Sequence, residues 1–230
     1  GSTYLNGSIN LLGNAIRNVI NAASTGNYSV QEQGNTTVSP VSKTVIGGVM
    51  SGSGGFTKIG GGEVRLTNDN TFTGDLNVLR FGTSAAPFQT STMRINGVDY
   101  QMLGNAEGWA EWSLTLNGPN GAVSSASNIN LQRRGMITLD NTGRLNATSG
   151  VVGANNNDRI NNAAVFNLNN GWLRINGGTV NNTEVLGTMN IQGGTNFIDL
   201  YPTDGAGTNM TLTINQLNRA SGGTLRIANL

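Results

Sequence analysis

The chain has 230 residues, with 34 Gly, only 4 Pro, and neither Cys nor His. Without Cys or His there is no Ser-His-Asp triad, no cysteine nucleophile and no ordinary zinc site. With 13 Lys and Arg against 12 Asp and Glu the net charge is +1, which argues against the concentrated basic face that nucleic acid requires and against a polybasic membrane contact.

Only 11% of the residues are charged and 37% are hydrophobic. Abundant Gly, Asn and Thr suit β-structure with many turns, because these residues tolerate positive φ or bond to nearby backbone. Apolar residues recur in short patches along the whole length, which argues against disorder. No apolar run approaches the roughly 20 residues that span a bilayer.

In chain order, Gly1-Ser2-Thr3 has neither the basic nor the apolar region of a signal peptide, so any such leader is expected outside this sequence. Next comes "LLGNAIRNVINAA", where Leu12, Ile16, Val19 and Ile20 are spaced for a short amphipathic helix. Residues 1–44 are assigned to N-terminal coils or a cap. Residues 45–230 are assigned to repeats of one continuous domain, expected to continue past Leu230 because "GTLRIANL" ends within a strand pattern.

The stretch "GSGGFTKIGGGEVRLTNDNTFTGDLNV" (52–78) carries no Gly-Lys-[Ser/Thr] at Walker spacing, so its glycines are read as turns rather than a phosphate cradle. It reads as one coil, with Lys58 solvated or covering a turn. Val64 and Leu66 face one side of a strand, and Glu63, Arg65 and Thr67 the other. Alternating segments then recur: "TMRIN" (92–96), "WSLTLNG" (112–118), "MITLDN" (136–141), "VFNLNNGWLRINGG" (165–178), "TMNIQGG" (188–194), "NFIDL" (196–200), "MTLTINQL" (210–217) and "TLRIANL" (224–230). Gly-Gly, Asn-Gly and Asn-Asn clusters punctuate them.

"MRING" (93–97) returns as "LRINGG" (173–178), and "GGTLRI" (222–227) repeats the order of turn and strand. Such degenerate repetition marks stacked units that cannot bury an apolar face alone. The expected fold is all-β, a parallel β-helix or right-handed β-solenoid. At roughly 20–25 residues per coil it would have about ten coils. A β-sandwich is the alternative, disfavoured because only 6% of residues are aromatic. Strand parity places Arg94, Arg174 and Arg226 outward, where strands sharing one sheet would align them in a basic row. Asparagines are expected to stack as ladders in the turns.

Residues 45–78 resemble the passenger-associated β-strand repeat of autotransporter proteins. The resemblance rests on the Gly-Ser-Gly turn at Ser51 to Gly54, on Thr57-Lys58-Ile59-Gly60, on the strand Glu63 to Thr67 and on Asn70-Thr71-Phe72-Thr73-Gly74. Asp75-Leu76 depart from the family's usual Gly or Thr. The later alternating segments resemble the strands that come after such repeats in long bacterial surface proteins. The resemblance implies a β-helix passenger, extracellular or at the bacterial cell surface, and implies no particular activity.

The acids are dispersed, the nearest groupings being Asp69 with Asp75, Glu107 with Glu111 and Asp199 with Asp204. Neither "NDNTFTGD" nor "DLYPTDGAGTN" has a calcium-loop spacing, so no metal or cofactor is expected. Parity places Trp112 in the core with Leu114 and Leu116, leaves Trp109 in the preceding loop and directs Trp172 outward beside Arg174. Trp109, Trp172 and Arg174 are therefore the candidate ligand-binding residues, suited to a sugar or a protein surface. The ordinary alternative is that Trp109 covers a coil edge, Trp172 packs under a loop and the outward arginines serve solubility.

The expected role is a non-enzymatic structural segment of a large bacterial surface or secreted protein: a stalk, fibre or adhesin passenger. Its partners would be neighbouring repeats, further copies in a fibre, or a glycan or host-surface ligand. A carbohydrate-binding adhesin module is the alternative, and a polysaccharide lyase or hydrolase a more distant one.

Overall fold

The computed structural model describes residues 2–5, 9–10, 19–21, 29–30, 43–59, 63–79, 89–95, 98–104, 113–142, 155–178, 180–201 and 209–229. Among them every regular element is a β-strand. The strands are numbered in chain order, and most belong to two eight-stranded sheets.

The first sheet runs from β1 (Ser2–Leu5) through β5 (Lys43–Ile46), β8 (Glu63–Leu66), β13 (Ser113–Asn117), β16 (Met136–Asp140), β18 (Trp172–Asn176) and β20 (Thr195–Tyr201) to β22 (Thr224–Asn229). All of its pairings are parallel. The second runs from β4 (Ser29–Val30) through β3 (Val19–Asn21), β7 (Phe56–Ile59), β10 (Leu76–Leu79), β15 (Asn128–Gln132), β17 (Val165–Asn169) and β19 (Asn182–Gly193) to β21 (Met210–Arg219). Only β4 is antiparallel to its neighbour there. A narrow third ladder joins β2 (Ile9–Asn10) to β6 (Met50–Ser51) and β9 (Asp69–Asn70) to β14 (Ala122–Val123), and Val123 bridges on to Ile160. Up to β17, the β11–β12 hairpin aside, the chain visits first sheet, third ladder and second sheet in repeating order, and from β18 onward it alternates between the two large sheets.

Register explains the core. Val64, Leu114, Ile137, Leu173 and Ile198 occupy one continuous row on the inner side of the first sheet, and each is 0% exposed. Phe56, Leu76, Ile129, Phe166 and Met189 form the corresponding row of the second sheet, also at 0%. Both rows belong to one apolar cluster. Alternation with period two puts the apolar half of each strand into this cluster, where each large side chain contributes about 1.5–3 kcal/mol.

Glycine is required where layers touch through backbone. A Cβ on Gly74 would lie 2.6 Å from Gly54, and one on Gly135 would lie 1.9 Å from the Val78 carbonyl oxygen. The Gly54–Gly74 contact places the Asn-Thr-Phe-Thr-Gly segment over the Gly-Ser-Gly-Gly turn. Residues 52–78 therefore span parts of two successive layers rather than one coil, since β7 pairs with β10 and β5 with β8.

Other expectations are corrected too. Val19–Asn21, within the segment spaced for a helix, is a strand of the second sheet; the rest of that segment lies outside the described residues. "TMRIN" belongs to β11 (Gln89–Ile95), which pairs antiparallel with β12 (Val98–Gly104). Its likeness to "LRING" comes from a strand followed by Asn-Gly, the shortest hairpin signal, not from an equivalent place in the sheets. Each large sheet holds eight strands among the described residues. Lys58 is 0% exposed, in register with Val78 on the inner row, so it is neither solvated nor a turn cover.

Candidate functional site

On β18 the alternation that buries Leu173 and Ile175 turns Trp172, Arg174 and Asn176 to the opposite face, half-buried. Parallel register with β20 sets Trp172 beside Phe197, Arg174 beside Asp199 and Asn176 beside Tyr201. The Trp172 and Phe197 rings lie 5.3 Å apart between centroids, tilted by 40°. The Arg174 guanidinium carbon is 5.3 Å from the Trp172 centroid and 4.7 Å from that of Tyr201. One cation is thereby held between two aromatic rings, an arrangement contributing on the order of 0.5–2 kcal/mol.

Asp199 organises the cluster. Its Oδ2 accepts from Trp172 Nε1 at 2.8 Å and lies 3.7 Å from Arg174 Nη2. Arg174 Nη2 also donates to the Tyr201 hydroxyl at 3.4 Å. Arg174 Nε is buried, with no hydrogen-bond partner among the described residues. The side chains predicted to point outward do so, yet stacking on neighbouring strands leaves Arg174 only 22% exposed. Trp109 and Trp112 lie outside the described residues, so Trp172 and Arg174 are the two predicted residues that are brought together.

No basic row forms among the described residues. Arg94 stands opposite Asp99 in the hairpin, and Arg226 shares its row with Phe197 rather than with Arg174. Arg65 donates from Nε to Glu63 Oε1 at 2.9 Å. Glu63 is also 4% exposed rather than solvated, and accepts from Thr115 Oγ1 at 2.8 Å. Asp69 stands opposite Ala122 in β9, and Asp75 accepts from Asn128 at 2.8 Å. Glu107, Glu111 and Asp204 lie outside the described residues.

The asparagines form two kinds of cross-link. On the outer face of the second sheet Asn77, Asn130, Asn167, Asn190 and Asn218 share one row. Each of the last four donates its side-chain amide to the Oδ1 of the one before, at 2.8–2.9 Å. Asn77 donates in turn to Thr57 Oγ1 at 3.2 Å. The ladder thus lies on a strand face, not in the turns where it was expected. In the third ladder the buried Asn70 of β9 joins layers: it accepts from Met50 N at 3.0 Å and donates to the Ala122 carbonyl at 3.0 Å.

A second constellation was not anticipated from the sequence. Arg159 is 0% exposed. Its Nη2 donates to the carbonyls of Gly118 and Asp140, each at 3.0 Å, its Nη1 to the carbonyl of Gly121, and its Nε to Asn141 Oδ1 at 2.8 Å. Glu184, 3% exposed, accepts the backbone N–H groups of Arg159 at 3.1 Å and Ile160 at 3.2 Å. Burial lowers the Arg159 guanidinium to about 10, against the raising influence of Asp140 and Glu184, so it stays charged at neutral pH. Burial pushes the Glu184 carboxyl up to about 7 despite those two backbone donors.

All three guanidinium nitrogens of Arg159 donate to acceptors 18 to 41 residues away in sequence, so this side chain ties distant segments together. The available signal was scarcity: in "NNNDRINN" (155–162) the adjacent Asp158 and Arg159 are the charged residues of a stretch of Asn and Ile, in a chain with only 11% charged residues.

No protein-family model matches the chain, and comparison with curated proteins and with solved structures found none similar to it.

Proposed function

We propose that this chain is a parallel β-helix segment acting as a non-enzymatic structural element, a stalk or passenger of a bacterial surface or secreted protein. The asparagine ladder carries the reading. It links five strands whose successive asparagines are separated by 53, 37, 23 and 28 residues yet stay opposite one another, even beside the register shift after Leu168. A chain that restores one register after such unequal insertions is built to keep a continuous stack. With eight strands at about 4.8 Å, the first sheet extends roughly 34 Å along the stacking direction.

The autotransporter-like repeat at 45–78 adds support for export. Its Asn70 and Gly74 are the residues that join one layer to the next, and Phe72 packs against Phe56 at 6.4 Å. Placing the chain between a signal peptide and an outer-membrane translocator tests the assignment. Surface display as a protease-resistant segment is expected; retention or degradation inside the envelope would contradict it.

A carbohydrate-binding module is the second reading, favoured by the half-buried rings of Trp172 and Tyr201 flanking Arg174. If it holds, Trp172→Ala abolishes binding on a glycan array. Absence of binding by the unmodified chain removes it.

A further inference from the structure

Asn6, Asn96, Asn117, Asn120, Asn170 and Asn176 each stand directly before a glycine. Such a step rearranges in water without an enzyme. The backbone nitrogen of the glycine attacks Cγ of the asparagine, the Cγ–Nδ2 bond breaks, and ammonia leaves with the proton from that nitrogen, closing a five-membered imide. Water then opens the ring at either carbonyl, giving aspartate or isoaspartate. Glycine allows the approach because it carries no Cβ. Two conditions favour the attack: a glycine N–H not already held by an acceptor, and a side-chain amide in contact with water.

Asn117, Asn120, Asn170 and Asn176 lie among the described residues, and the fold holds three of them back. Asn117 is 0% exposed, and its Nδ2 donates to Asp140 Oδ2 at 2.8 Å. Gly171, after Asn170, donates its N–H to Asn196 Oδ1 at 2.9 Å, while Asn170 Oδ1 accepts from Thr195 N at 3.1 Å. Gly177, after Asn176, donates its N–H to the Tyr201 carbonyl at 2.7 Å. Asn120 differs in both respects. It is exposed in the turn between β13 and β14, and neither its side chain nor the Gly121 N–H has a hydrogen-bond partner among the described residues.

We propose that Asn120 is a site of spontaneous covalent modification, converted to aspartate and isoaspartate through the Gly121 nitrogen. Its position couples the chemistry to the buried Arg159. The Gly121 carbonyl accepts from Arg159 Nη1 and the Gly118 carbonyl from Arg159 Nη2 at 3.0 Å, so one guanidinium fixes both sides of the turn. Isoaspartate adds a carbon to the main chain between residues 120 and 121. The turn then no longer presents both carbonyls to one side chain, and the contact between β14 and the segment at Arg159 loosens. Neither the reaction nor this consequence depends on export or on a ligand, so failure of the display experiment leaves both standing.

Incubation of the chain in mildly alkaline buffer, followed by peptide mapping with mass spectrometry and enzymatic labelling of isoaspartate, tests the assignment. The peptide holding Asn120 is expected to gain the mass of an amide-to-acid exchange about tenfold faster or more than those holding Asn117, Asn170 and Asn176, the difference that one hydrogen bond makes. In urea, with the fold removed, the four rates should come together. Asn120→Gln, whose longer side chain does not close the five-membered ring, should abolish the signal at that position. Val123 N donates to the Arg159 carbonyl and Asn161 N to the Val123 carbonyl. Hydrogen exchange at these two amides should therefore quicken in the aged parent and not in the aged variant. An unchanged Asn120 in the folded chain, or faster conversion at Asn117, Asn170 or Asn176, overturns the site. Conversion with unaltered exchange at Val123 and Asn161 overturns its coupling to Arg159.

Discussion

Asn130 donates its side-chain amide to Asn77 Oδ1 at 2.8 Å across 53 residues of sequence. Asn167 then donates to Asn130 at the same distance, and Asn190 donates to Asn167. Replacing the middle member breaks two of these bonds at once. Asn167→Ala is expected to cost about 1–2 kcal/mol in urea unfolding, at roughly one per net hydrogen bond. Asn167→Asp is expected to cost more, because a carboxylate would face the Asn130 Oδ1 that now receives a donor. Equal stability of both variants and the parent would remove the ladder as a stabilising element.

The buried asparagine of β9 is more sensitive. Asn70 is 0% exposed and bonds backbone of Met50, Asn68 and Ala122. Asn70→Leu leaves those groups unpaired, at about 1–3 kcal/mol each. A drop in melting temperature larger than that of Asn167→Ala is expected by calorimetry.

Two glycines separate close approach from backbone conformation. At Gly135 an added methyl meets the Val78 carbonyl, whereas at Gly222, with φ of +80°, nothing lies within 4 Å. Gly222→Ala is expected to cost about 1–2 kcal/mol, from the left-handed backbone alone. Gly135→Ala forces main chain apart between layers and should cost about 3 kcal/mol or more. Chemical denaturation of the two variants side by side reads the difference, and a reversed order would contradict the described packing.

Glu184 predicts a pH dependence of stability. Its carboxyl rises from the ordinary value of 4.5 to about 7, chiefly by burial, with Asp158 adding to the rise and Arg159 and the two backbone donors opposing it. The folded chain holds this proton more tightly than the unfolded one. The associated stability is therefore fully present below about pH 4.5 and is lost as pH rises through about 7, some 3 kcal/mol in all. Glu184→Gln cannot ionise, so the stability difference between parent and variant should change across that window and level off on both sides. Parallel stability curves would show that the carboxyl does not titrate there.

The apolar half of this architecture was legible in the sequence. Alternation alone assigned Val64, Leu66, Leu114, Leu116, Leu173 and Ile175 to the interior, because period two is a property of the backbone. Parity also put Trp172 and Arg174 on one face. It did not reveal their pairing with Asp199 and Tyr201, which depends on register between strands rather than on spacing within one. For the same reason "MRING" and "LRING" read alike although one lies in a hairpin and the other in a long parallel sheet. Lys58, Arg159 and Glu184 were opaque since burial of a charge is decided by partners distant in sequence.

The continuous stack is tested most directly by the distance between spin labels at Thr57 and Asn218, the two ends of the amide row. Five strand intervals of about 4.8 Å place their backbones roughly 24 Å apart. A single narrow distribution near that value, allowing for label length, is the expected result of pulsed electron resonance. A distribution centred beyond about 40 Å, or one too broad to define a separation, would contradict the stack.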